Sequence, residues 1–149
     1  MAKIVELPEQ TFACMRHVGP YPGIGAKFEA LCAWAYPKGI VRGNPIGIFW
    51  DDPCKVPEAE LRSDACVPVD SGFVSDHPEV TVLVASGGRY AMGTHMGPYE
   101  GLPDAWNAFM ATVDPDQMDM DGWCFEEYMN DCSQVAPEEV HTDMYTRLK

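Results

Sequence analysis

The pentapeptide His17-Val18-Gly19-Pro20-Tyr21 returns 78 residues later as His95-Met96-Gly97-Pro98-Tyr99, and that recurrence decides the fold. At the same offset Phe12 meets Tyr90, Ala13 meets Ala91, Gly23 meets Gly101, Ile24 meets Leu102, Phe28 meets Trp106, Ala30 meets Ala108 and Leu31 meets Phe109. Farther along the offset becomes 79, where Asp52 meets Asp131, Leu61 meets Val140 and Asp64 meets Asp143. One inserted residue accounts for the change, and the two halves are copies of one module.

Within the first copy, residues 4–18 read as an extended strand bent at Pro8, with Thr11-Phe12-Ala13-Cys14-Met15 as its apolar centre. Gly19-Pro20-Tyr21-Pro22-Gly23 breaks it. Ile24, Phe28, Leu31, Cys32 and Ala35 then recur at spacings of three and four, which predicts a helix over residues 24–36, ended by Pro37 and Gly39. Residues 46–50 and 66–69 read as two more strands across a polar, proline-containing stretch at 51–63. The expected fold is α+β: duplicated strand-helix-strand-strand modules in pseudo-twofold arrangement, with an antiparallel sheet, helices on one face and a cleft between modules. A single domain over residues 1–149 is expected, built from repeats of about 1–75 and 76–149. Clefts of that kind are favoured ligand sites.

The places where the repeat breaks carry the functional signal. Trp123-Cys124-Phe125-Glu126-Glu127-Tyr128-Met129-Asn130 reads as a strand, so Cys124, Glu126, Tyr128 and Asn130 share one face and Phe125, Glu127 and Met129 the other. At the 79-residue offset Glu126 falls opposite Gly47, and Tyr128 opposite Phe49. One copy thus supplies a carboxylate where the other supplies no side chain. A carboxylate turned inward beside rings is disfavoured in its charged form, and such a group binds cations or moves protons. The bland alternative leaves both glutamates at a wet sheet edge. His17 and His95, kept in both copies, are more simply read as parts of the turn than as a metal or catalytic pair. Asp114-Pro115-Asp116-Gln117-Met118-Asp119-Met120-Asp121-Gly122 has the alternating aspartates and glycine of a calcium loop, but that register puts Gln117 first and Tyr128 twelfth, where carboxylates are required.

Composition narrows the classes. A hydrophobic share of 46% with 22% charged residues is that of a globular protein, and no apolar run nears the roughly 20 residues that cross a bilayer. Residues 1–6 lack a signal-peptide core, so a cytoplasmic location with no membrane partner is expected. The six cysteines show neither a two-residue spacing nor a histidine cluster, so reduced and mostly buried thiols are expected, with no metal and no cofactor. Net charge is −13. Residues 1–75 carry seven Lys/Arg against nine Asp/Glu, whereas residues 76–149 carry three against fourteen. An acidic second half argues against direct nucleic-acid binding and for attraction of cations or basic protein surfaces, solubility being the bland reading.

The duplicated turn and helix, together with Phe49-Trp50-Asp51-Asp52-Pro53, Cys124-Phe125-Glu126-Glu127-Tyr128-Met129-Asn130-Asp131, Pro137-Glu138-Glu139 and Thr142-Asp143-Met144-Tyr145, resemble the GyrI-like small-molecule-binding family over nearly the whole chain. Family members are effector-binding halves of multidrug-sensing transcription activators, or stand-alone proteins. With every residue used by the two modules, the chain looks like a stand-alone member. The resemblance implies an aromatic-lined cleft with an acidic floor at Glu126, and Tyr128, Tyr145, Phe49, Trp106 and Trp123 are candidate walls for a lipophilic, aromatic or cationic ligand. It equally implies two alternatives: hydrolysis of cyclopropane-containing toxins with Glu126 activating water, and inhibition of DNA gyrase as a protein partner.

Overall fold

The computed structural model describes residues 2–119 and 123–149. The fold is α+β, and its described strand pairings are antiparallel. Contacts divide the chain into two compact units, Glu9–Ser86 and a second that joins Met1–Pro8 to Gly87–Lys149.

In the unit Glu9–Ser86 the strands β2 (Gln10–Val18), β3 (Ile46–Phe49), β4 (Arg62–Val69) and β5 (Val80–Ala85) lie in the order β3-β4-β2-β5. The helix α1 (Gly25–Ala35) covers one face. Leu31 and Ala35 pack there with Ala13, Met15, Ala65 and Val67, alternate residues that the register brings to one side. Phe12, Cys14, Cys66, Ile46 and Ile48 are buried on the other face. With both faces buried, β2 reads as a continuous apolar run rather than an alternating one.

The second unit repeats this with β1 (Lys3–Leu7), β6 (Gly88–Met96), β7 (Cys124–Tyr128) and β8 (His141–Arg147), in the order β1-β6-β8-β7, and with α2 (Leu102–Met110). Leu102 and Phe109 of α2 pack against Ala91 and Met144. Both copies turn from strand to helix through a glycine at positive φ, Gly19 at 127° and Gly97 at 138°, a backbone region from which a Cβ is excluded.

Three expectations change. Residues 4–18 form two strands, not one bent strand. Pro8 lacks the N–H that would continue a ladder, and on either side of it the chain takes different partners: β1 pairs with β6 from Lys3↔Met92 to Leu7↔Gly88, whereas β2 pairs with β4 and β5. The strand expected at 66–69 begins earlier, at Arg62, and takes in the buried polar residues Ser63 and Asp64. Asp64 is tolerated inside because Arg16 Nε and Trp50 Nε1 donate to it at 3.0 and 2.7 Å. The cysteines also differ from expectation: among six free thiols Cys14 and Cys66 are buried, while Cys54 and Cys132 are exposed. No helix among the described residues is long and apolar enough to cross a membrane.

Candidate functional site

Strand β7 separates its two glutamates. Glu126 is 5% exposed, and Glu127, on the opposite face, is only half-buried. Glu126 pairs in register with Met144, which pairs with Gly93, making a row across the face that α2 covers. The equivalent row in the other unit is Met15, Ala65 and Gly47. Gly93 therefore stands where the other copy has Met15. A Cβ on it would lie 2.6 Å from Phe109 Cδ1, so glycine is what lets the Phe109 ring reach the sheet.

Both oxygens of Glu126 are held. Trp106 Nε1 donates to Oε2 at 2.6 Å and the Tyr128 hydroxyl donates to Oε1 at 2.7 Å. The repeat counterparts of these three residues are Gly47, Phe28 and Phe49, none with a side-chain hydrogen bond to give or take. The acid and both of its donors are thus specific to one copy. Burial pushes the Glu126 carboxyl above its usual range; the Trp106 and Tyr128 hydrogen bonds and the nearby charge of His95 oppose that push without cancelling it. No ion pair to Glu126 occurs among the described residues.

Tyr99 and His95 complete the group. The Tyr99 ring meets the Tyr128 ring edge-on, with centroids 5.8 Å apart. Burial pushes the Tyr99 phenol up to about 12, and Cys132, Asp131 and Glu126 add to the shift. His95 Nε2 lies 2.9 Å from the Pro98 carbonyl, and since a carbonyl only accepts, that nitrogen donates. His17 Nε2 stands 2.9 Å from the Pro20 carbonyl in the same way, so both histidines close their turns as the repetition suggests. Thr142, in register with both His95 and Tyr128, has a buried hydroxyl without a partner among the described residues; its counterpart Ser63 shares that condition, which makes it a property of the module.

The other sequence candidates lie elsewhere. Tyr145 stacks on Phe125, centroids 4.5 Å apart and planes 10° from parallel, on the face of the sheet away from Glu126. Burial raises its phenol first, with Glu127 and Asp143 adding. Arg147 lies 5.5 Å over the Trp123 ring. Phe49 belongs to the unit Glu9–Ser86, edge-on to Tyr21 at 4.9 Å. Tyr99 was missed by the sequence because Tyr21 packs on Phe49 as Tyr99 packs on Tyr128: a contact kept in both copies is invisible to a search for what differs. Among the described residues no three His, Cys, Asp or Glu side chains gather as a metal site. The acidic stretch at 114–122 includes residues 120–122, which lie outside the described residues.

The chain is thus a duplicated strand-helix-strand-strand α+β domain with a buried acid under its second helix. The chain belongs to the GyrI-like family, described as a GyrI-like small molecule binding domain, whose profile matches residues 2–149. It is 28% identical over 135 residues to a DNA gyrase inhibitor of Enterobacter lignolyticus, covering 85% of this chain and 83% of that protein. In fold it is similar to the EcmrR C-terminal domain, with a TM-score of 0.82 at 17% identity, covering all of this chain and 97% of that one. It is also similar to SAV2435 bound to tetraphenylphosphonium, with a TM-score of 0.72 at 12% identity, covering all of this chain and 94% of that one.

Proposed function

We propose that the chain binds lipophilic aromatic cations against Glu126, beneath α2, with Trp106, Tyr128 and Tyr99 as the aromatic surroundings. The observation that carries this reading is a glutamate 5% exposed, its carboxyl tied to two neutral donors and to no Lys or Arg among the described residues. Ionised, such a group is a buried charge that no Lys or Arg among the described residues pairs with, and a ligand cation is what would pair with it. Rings around a cation contribute further, each about 0.5–2 kcal/mol. The tetraphenylphosphonium held by a structural relative is a ligand of this chemistry. The test is fluorescence titration with a hydrophobic dye cation. Glu126→Gln is expected to weaken binding by about 30-fold, the equivalent of ~2 kcal/mol for removing one partner of a buried charge pair. An unchanged dissociation constant would remove the anchor role.

Both oxygens of Glu126 already accept a hydrogen bond from a protein donor, which favours an anchor over a general base that must hold and activate a water. Incubation with a spirocyclopropane compound, followed by mass analysis, is expected to yield no enzyme-dependent water adduct. A second reading, inhibition of DNA gyrase, is supported by the name of the Enterobacter relative and by the acidic second half. A supercoiling assay with excess protein at moderate salt tests it, and unaltered supercoiling would contradict it.

A further inference from the structure

Cys14 on β2 and Cys66 on β4 are direct register partners, and their sulfurs stand 2.7 Å apart. Both side chains are fully buried on the face of the unit Glu9–Ser86 that α1 does not cover. Their repeat counterparts are Met92 and Tyr145, so the thiol pair is specific to one copy of the module. Directly opposed residues of an antiparallel pair have Cα atoms roughly 4.5–5.5 Å apart, within the roughly 4.4–6.8 Å that a disulfide spans. Bonded sulfurs lie at about 2.05 Å. Closing the bond therefore takes a small approach of two side chains and no movement of the strands.

We propose that Cys14 and Cys66 are an oxidation site that closes to an intramolecular disulfide when the protein meets a peroxide. One sulfur attacks the peroxide oxygen, breaking the O–O bond and leaving a sulfenic acid and water. The other sulfur displaces the second water and forms the S–S bond. Two thiols and one hydrogen peroxide become one disulfide and two waters, the sulfurs giving up the electron pair that the peroxide gains. Burial pushes the Cys66 thiol up, which slows the first step in the folded protein, and burial equally keeps reductants from the finished bond. The link would close a loop that contains α1 and β3 and would tie β2 to β4 just before the His17 turn.

The test uses the full chain. Exposed thiols, Cys54 and Cys132 first, are alkylated under native conditions; the protein is treated with hydrogen peroxide, unfolded, labelled with a second alkylating reagent and digested without reductant. Expected is a linked pair of peptides carrying Cys14 and Cys66, lighter by two hydrogens than the separate thiol peptides and separated by reductant after unfolding. The thermal midpoint should rise by several degrees on oxidation and fall back on reduction in the unfolded state. The Cys66→Ser variant should show neither change; should it fail to fold, the peptide mapping of the unmodified sequence decides alone. Recovery of Cys14 and Cys66 as separately labelled thiols, or as separate sulfinic acids, would overturn the proposal.

Discussion

Glu126, Trp106 and Tyr128 form a unit of three residues whose counterparts, Gly47, Phe28 and Phe49, can be restored one at a time. Its titration has a defined sign. Burial raises the folded-state pKa of Glu126 above the unfolded value, so the stabilising contribution is fully present below the ordinary carboxylate range and is lost as pH rises through the folded value. Urea unfolding of the wild type and of Glu126→Gln should therefore converge at acid pH, with the wild type losing ground to the variant as pH rises toward neutral. A difference independent of pH would mean that Glu126 is not buried in solution. Trp106→Phe and Tyr128→Phe each remove a donor that favours the ionised form, so each should move this pH dependence upward and cost roughly 1.5–3 kcal/mol where Glu126 is charged. The carboxylate was legible in part: strand alternation separates Glu126 from Glu127, and the glycine opposite Glu126 in the other copy singles it out. Its donors were half legible: the exchanges of Phe28 for Trp106 and Phe49 for Tyr128 are visible, but an aligned residue does not reveal which way an indole N–H points. Tyr145 shows the limit, since one position in register decides which face a ring occupies.

At the scale of elements, the helix-sheet contact rests on an exchange of volume within a row. Met15, Ala65 and Gly47 fill it in one unit; Gly93, Met144 and Glu126 fill it in the other. Gly93→Ala should cost about 1–3 kcal/mol by driving a methyl into the Phe109 ring, and thermal denaturation should show part of that loss recovered in Gly93→Ala with Phe109→Leu. Equal losses in the single and double variants would place the strain elsewhere. The helices and the strands on either side of them followed from spacing, breakers and the repeat. The partners of β1 and β5 did not follow, because a short apolar strand fits any open edge, and nothing local to Lys3–Leu7 records that it pairs with Gly88–Met92 rather than with its neighbour in sequence.

For the whole molecule, duplication followed by local divergence accounts for the pattern of what is shared and what is not. The turns with their histidines, the aspartates at Asp64 and Asp143 and the aromatic contacts of Tyr21 and Tyr99 are common to both copies; the acid with its two donors belongs to the Gly87–Lys149 copy and the thiol pair to the other. The negative charge has the same bias, and a net of −13 should draw cations toward the protein with a rate that falls as salt rises, whatever site they reach. Binding at Glu126 is distinguished from such attraction by its proton. The most direct measurement is calorimetry of tetraphenylphosphonium binding, repeated in buffers of different ionisation enthalpy at a pH within the raised titration range of Glu126. The expected result is release of up to one proton per ligand by the wild type, shrinking as pH rises above that range, and none by Glu126→Gln. Equal proton release by both proteins, or equal affinity for a neutral compound of the same shape, would contradict a cation site built on Glu126.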